Sequence, residues 1–237
     1  MSEPEISIVI PSYRAENTIS EAIKKLIEVL EGIGCDYEVI VVEDGIVDQT
    51  KQKLEELSVD KLRVIQIPKN IGKGSALRLG ISKSSGSKYI GYVDADLDIS
   101  PSSLAIAFRN LEANNSTSLV LGSKLHKESQ VEYPFFRSIQ SRFFAFFVDK
   151  VFKFQVNDTQ TGLKLGRSSI MKIASSQTEM DGFAFDLELL LRLKRLGGQF
   201  DVVPVKLNYK FGSTISPQKY LETIRDVLMV IRISLRR

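Results

Sequence analysis

The chain has 237 residues, 43% hydrophobic and 26% charged, enough for one large α/β domain with a sizeable core. Its single cysteine, Cys35, excludes an internal disulfide and cysteine-pair zinc clusters. Its single histidine, His126, excludes multi-histidine metal sites, so carboxylates, lysines and arginines must carry any chemistry.

The net charge of +3 conceals a gradient. Residues 1–60 hold five Lys/Arg against fourteen Asp/Glu, a balance of −9, whereas residues 192–237 hold ten against three, a balance of +7. A basic end fits an anionic partner, nucleic acid or membrane surface, or else a solvated charged face. Met1–Glu5 is polar and the next apolar run is short, so no secretory signal is expected. No stretch of about 18 uninterrupted apolar residues occurs, so no bilayer span is expected and the default compartment is the cytoplasm.

Strand and helix signals alternate through the first half. Ile6–Ile10 is β-rich, and residues 17–31 carry Ile19, Ile23, Leu26, Ile27 and Leu30 at helical spacing. Tyr37–Val42 reads as the next strand, about 48–58 as a helix, Leu62–Ile67 as a strand and 73–84 as a helix. Tyr89–Val93 follows as a fourth strand. This rhythm predicts a mostly parallel sheet with helices on both faces, whose ligands bind beyond the carboxyl ends of the strands. Three polar motifs fall there: Pro11-Ser12-Tyr13, Glu43-Asp44-Gly45 and Asp94-Ala95-Asp96.

Asp94 and Asp96, two apart in an extended segment, would point to one side and repel each other unless a cation sat between them. Oxygen ligands favour Mg2+ or Mn2+, and Asp98 continues the spacing as a third ligand, although acidic loops are also commonly just solvated. Between the third strand and its helix, Asn70-Ile71-Gly72-Lys73-Gly74-Ser75-Ala76 offers glycines for close approach, a helix N-terminus and Lys73 for a phosphate. An ordinary capped turn is the alternative, and the glycine spacing fits neither the P-loop nor the dinucleotide fingerprint.

With these motifs in hand, the chain resembles a family 2 glycosyltransferase of the GT-A fold over nearly its whole length. Pro11-Ser12-Tyr13-Arg14-Ala15-Glu16 is similar to the family's Pro-x-Tyr-Asn-x-Glu opening, with Arg14 where asparagine is usual. Val42-Glu43-Asp44-Gly45 is similar to its Asp-Asp-Gly turn, while Asn70-Ile71-Gly72-Lys73-Gly74 and Asp94-Ala95-Asp96 match it throughout. The resemblance implies a single catalytic domain over 1–237, with a nucleotide-binding half (1–123) and an acceptor-binding half (124–237). It places Pro11, Tyr13, Glu16 and Asp44 around the nucleoside, with Lys73 and Asp94 alongside, and the metal on Asp96 and Asp98.

The second half narrows the likeness. Gly122-Ser123-Lys124, Arg137-Ser138, Ser141-Arg142, Asp158-Thr159-Gln160-Thr161-Gly162-Leu163-Lys164 and Phe185-Asp186-Leu187-Glu188 resemble dolichyl-phosphate glucosyltransferases and prokaryotic polyprenyl-phosphate relatives. The Gln-x-x-Arg-Trp signature of processive polysaccharide synthases is absent, and the chain has no tryptophan. The implied activity moves a hexose, glucose favoured, from a UDP-sugar or other nucleotide sugar to polyprenyl phosphate with inversion. Such an acceptor is already anionic at pH 7 and needs positive charge rather than a strong base, which Lys124, Arg137 and Arg142 would supply. Asp158 would order the attacking group, or else cap a turn before Gly162. Asp186 and Glu188, two apart at helical spacing, would face different ways, one toward the sugar and the other toward solvent. His126 reads as an exposed loop residue.

Eight of the thirteen phenylalanines fall within residues 133–154, interleaved with Arg137, Arg142, Lys150 and Lys153. Those charges are too frequent for a membrane span; the stretch suits an interfacial helix or an amphipathic core-facing one. A second basic amphipathic helix, about 216–236, carries Ile224, Val227, Leu228, Val230, Ile231 and Leu235 with Arg225, Arg232, Arg236 and Arg237. Attachment to the cytoplasmic leaflet would then be peripheral. Two rival readings stand beside this one: transfer to a glycan hydroxyl, with Asp158 or Asp186 as base, and a non-catalytic membrane module retaining the fold. Nucleic acid is disfavoured by the acidic first half.

Overall fold

Apolar alternation along the first strand decides where the rest of the chain packs. In β1 (Ile6–Ser12), Ile6, Ile8 and Ile10 turn to one face of the sheet and Val9 to the other, the two-residue period of a strand. The computed structural model describes residues 3–96, 98–131, 148–156, 158–207 and 217–235. From β1 the chain runs through α1 (Ile19–Ile33), β2 (Tyr37–Asp44), α2 (Thr50–Glu55), β3 (Leu62–Ile67), α3 (Lys73–Lys83) and β4 (Tyr89–Val93). It continues through α4 (Ser102–Ala113), β5 (Thr117–Ser123), β6 (Leu163–Arg167), α5 (Ser168–Ser176), α6 (Phe185–Arg195), β7 (Gln199–Pro204) and α7 (Pro217–Leu235).

Seven strands form one sheet in the order β3-β2-β1-β4-β6-β5-β7. β3, β2, β1 and β4 are parallel neighbours, and β5 pairs parallel with β7. β6 lies antiparallel between β4 and β5. The expected mostly parallel α/β sheet is therefore observed, with one reversed strand that no local signal announced.

Helices cover both faces. Ile19, Ile23, Leu26 and Leu30 of α1 meet Ile6, Ile8, Ile10, Leu104 and Leu111 on one side. On the other, Ala76, Leu77 and Ile81 of α3 pack with Val9, Ile40, Val42, Phe185, Leu189 and Val230. Each buried aliphatic side chain contributes about 1.5–3 kcal/mol relative to exposure, so these two layers dominate the stabilisation. Of the phenylalanine-rich stretch, residues 148–156 are described: Phe152 and Phe154 are buried, stack with centroids 5.4 Å apart, and Phe154 meets Phe200 edge-on. These two rings face the core, while Val151 just before them is exposed; the rest of the expected 133–154 helix, including Arg137 and Arg142, lies outside the described residues.

Candidate functional site

Strand order reverses between β1 and β4, since β2 and β3 lie on one side and β6, β5 and β7 on the other. The β1–β2 pairing continues to Ser12↔Glu43, but the β1–β4 pairing stops at Val9↔Tyr92. The two central strands thus part after Val9, and Pro11, whose missing N–H suits a position beyond the β4 ladder, follows two residues on. A crevice at such a reversal is where open α/β sheets take their ligands. Because β6 is antiparallel and Val93 pairs with Leu163, the segment leading into β6 arrives at this same edge. It brings Asp158–Gly162 beside Asp94, whose backbone N–H donates to the Gly162 carbonyl at 3.0 Å.

The glycine turn before α3 is occupied by protein groups. The two carboxylate oxygens of buried Asp44 each accept one N–H, from Ile71 and Gly72, at 2.8 Å. The N–H groups of Gly74 and Ser75 both donate to the Asp181 carbonyl, and the Ser75 hydroxyl donates to the Asp181 carboxylate. Gly72 has φ +108, and a Cβ there would come 2.9 Å from the Asp181 carbonyl carbon; one on Gly74 would come 2.5 Å from the Met180 oxygen. These glycines admit the 180–182 loop, not a phosphate, which corrects the expectation drawn from close approach and the helix N-terminus. Arg78 fastens the loop from α3 through Thr178, Met180 and Asp181, and Glu188 from α6 accepts the Glu179 and Met180 N–H groups.

Lys73 points the other way, toward Asp94 at the end of β4 and Asp186 of α6. Its ammonium lies 2.7 Å from Asp94 and 3.8 Å from Asp186. Burial alone would push this lysine down, but those carboxylates together hold it above the ordinary lysine range. Asp94 therefore has a protein cation beside it, Lys73. Residues 95 and 96 form a turn rather than an extended segment, and Asp96 Oδ1 accepts the Asp98 N–H at 3.1 Å. Desolvation by the surrounding protein pushes Asp96 above the usual aspartate range, although its side chain is exposed. The charges of Asp94 and Asp98 push the same way, against the Asp98 N–H and Lys73. Among the described residues no three acidic, histidine or cysteine side chains are gathered as a ready-made metal cluster. An oxygen-only, over-acidic turn nevertheless has the chemistry a hard divalent cation requires, provided that substrate oxygens and water complete its shell.

On the far side of the crevice, Asp158 is buried and committed. Its carboxylate accepts the Lys124 N–H at 3.0 Å and the Gln160 N–H at 3.3 Å, and lies 3.7 Å from the Lys124 ammonium. It both caps its turn and holds a cation at the edge. Asp186 and Glu188 do face different ways, but neither is solvated, which corrects the earlier expectation. Glu188 pairs with Arg192 at 2.7 Å. Asp186 receives the Tyr92 hydroxyl and the Lys164 ammonium, each at 2.5 Å, and Lys164 also donates to the Thr161 carbonyl at 2.8 Å. Burial would push Asp186 up, yet Lys164 and Lys73 hold it below the ordinary range; burial pushes Lys164 down despite Asp186.

Around the mouth, Tyr13 is exposed with Arg14 5.3 Å over its ring, and Arg14 adopts φ 53, a region that asparagine tolerates better than arginine. Glu16 accepts the Gln49 N–H at 2.9 Å, joining the loops after β1 and β2. His126 sits half-buried in the turn after β5, where its Nδ1 accepts the Glu128 N–H. The buried Lys164 and Tyr92, and the Arg78–Asp181 clamp, were not anticipated. The one available signal was a lysine inside the apolar run Leu163–Leu165.

A family model described as Glycosyl transferase family 2 matches residues 7–173. A human dolichyl-phosphate beta-glucosyltransferase is 33% identical, covering 95% of this chain and 74% of its own length. A mouse protein of the same description is 30% identical over the same shares, 95% and 74%. In fold, the chain is similar to glucosyl-3-phosphoglycerate synthase from Mycobacterium tuberculosis, solved with Mn2+, UDP-glucose and phosphoglyceric acid. The TM-score is 0.74 at 18% identity, covering 97% of this chain and 80% of that one.

Proposed function

The chain belongs to glycosyl transferase family 2, and from that premise we propose that it transfers a hexose, glucose favoured, from a nucleotide diphosphate sugar to a polyprenyl phosphate at a membrane surface. The relatives named above, similar over nearly the whole chain, act by their descriptions on dolichyl phosphate. The observation that carries the choice of acceptor is the state of the two acids that a hydroxyl acceptor would need as base. Asp158 is engaged by Lys124 and backbone N–H groups, and Asp186 is buried against Lys164 and Tyr92. A phosphate acceptor needs no base, because it is already ionised at neutral pH.

Residues 1–123 hold the donor in this reading. Pro11, Tyr13, Glu16 and Asp44 shape the nucleoside side of the crevice, Asp44 by fixing the 70–72 turn. Lys73 meets the diphosphate. Asp94, Asp96 and Asp98 would hold Mg2+ or Mn2+, which when bound would supply positive charge to the departing diphosphate. Residues 124–237 receive the acceptor, with Lys124 positioned by Asp158 and joined by Arg137 and Arg142. An acceptor phosphate oxygen attacks the anomeric carbon as the bond from that carbon to the diphosphate oxygen breaks. The electron pair leaves with the nucleoside diphosphate and the configuration inverts. Confining both anions among fixed cations is the source of acceleration.

Membrane contact is assigned to α7. Val227, Val230 and Ile233 turn inward, leaving Leu228, Met229 and Leu235 exposed with Arg225 and Arg232, an outward face both apolar and basic. No helix among the described residues is long and apolar enough to cross a membrane. Contact through this outward face is proposed as peripheral, on the cytoplasmic leaflet. The test is incubation with radiolabelled sugar nucleotides, polyprenyl phosphate and Mn2+ or Mg2+. Label in the organic phase is expected, most strongly from UDP-glucose; label confined to water-soluble glycans would favour a hydroxyl acceptor instead.

A further inference from the structure

Beneath the crevice lies a charged group that the transfer reaction as described does not use. The Lys164 side chain is wholly buried, at 0% exposure, in the middle of the sheet. Taking an ammonium out of water costs several kcal/mol unless its partners are well placed, so its retention calls for a reason. Its contacts are the Asp186 carboxylate at 2.5 Å, the Thr161 carbonyl at 2.8 Å and the face of the Tyr92 ring, with the centroid at 5.2 Å.

What Asp186 touches next supplies the reason. Its Oδ1 takes both Lys164 and the Tyr92 hydroxyl, while its Oδ2 faces the Lys73 ammonium at 3.8 Å. Lys73 in turn sits closer to Asp94, at 2.7 Å. Two cations and two carboxylates thus alternate from the core outward as Lys164, Asp186, Lys73 and Asp94. Without Lys164, the buried Asp186 carboxylate would have, among the described residues, only Lys73 as counter-ion, and Lys73 would be shared between two anions. The donor diphosphate would then meet a Lys73 already claimed by two carboxylates.

We propose that Lys164 is a positioning residue that neutralises Asp186 from beneath and so keeps Lys73 available to the donor diphosphate. The inference rests on the reading of Lys73 as the diphosphate contact. It makes a purely structural buried pair and a functional one behave differently, because only the functional one ties donor affinity to the charge on Asp186.

The experiment is calorimetric titration of UDP-glucose, in buffer containing Mn2+, into the wild type, Lys164→Met and Lys164→Met/Asp186→Asn, with thermal unfolding of each. Asparagine retains an acceptor for the Tyr92 hydroxyl while removing the charge. Lys164→Met should lose donor affinity by about tenfold or more, as expected for a lost charge-assisted contact. The double variant should recover to within about threefold of wild type. A single variant that binds as wild type does, or a double variant no better than the single, overturns the proposal. If Lys164→Met does not fold, the double variant alone decides, since a loss of about tenfold there is equally contrary. Failure of the wild type to bind any sugar nucleotide would instead defeat the underlying functional reading.

Discussion

Two turns at the same sheet edge, Asn70–Ser75 and Asp94–Asp98, both follow parallel strands and both look in sequence like ligand sites, the first for a phosphate and the second for a divalent cation. They differ in whether the protein has already satisfied them. In the first, Asp44 and the Asp181 carbonyl take the N–H groups of Ile71, Gly72, Gly74 and Ser75, and the glycines exist to let another loop approach. In the second, Lys73 serves Asp94, while Asp96 is pushed up by desolvation and by its acidic neighbours. A motif rich in glycine can thus be architecture, while the acidic turn is the one to which the proposed function assigns a ligand.

The sharpest way to break that contrast is Asp96→Ala. Transfer of labelled hexose should fall by at least about a thousandfold, roughly 4 kcal/mol of barrier, with the melting temperature unchanged. Wild-type transfer by the variant would return the acidic turn to mere surface. Gly72→Ala attacks the other turn: with φ +108 and the Asp181 carbonyl in the way, it should cost about 3 kcal/mol of stability in urea unfolding. Asp44→Asn leaves one N–H facing an amide that cannot accept it, and should cost about 2 kcal/mol by the same assay. Asp181→Ala removes the acceptor for Ser75 and Arg78 but spares the backbone carbonyl. Because that carboxylate is largely exposed, the expected loss is only about 1 kcal/mol.

The parallel half of the fold was legible because each of its elements declares itself locally. Ile19, Ile23, Leu26 and Leu30 mark a buried helix face, and the runs at Leu62–Ile67 and Tyr89–Val93 became strands with those same ends. The antiparallel β6 was not legible, since strand direction depends on neighbours far away in the chain. Lys164 illustrates the same limit at the site: a lysine between Leu163 and Leu165 does not show locally what covers its side of the strand. Only Asp186, 22 residues onward, and Tyr92 make it an interior charge. Asp186 and Glu188 were correctly assigned opposite faces, but whether a face meets water is decided by what covers it. Here those covers are Lys164 and Tyr92 for one and the 178–180 segment for the other.

The account turns on the acidic turn and Lys73 acting together on a sugar nucleotide, so the most direct measurement is calorimetric titration of UDP-glucose with and without Mn2+, in wild type and Asp96→Ala. Binding strengthened by the ion in the wild type and lost from the variant is the predicted result. Equal affinity in both proteins, indifferent to the ion, would contradict it.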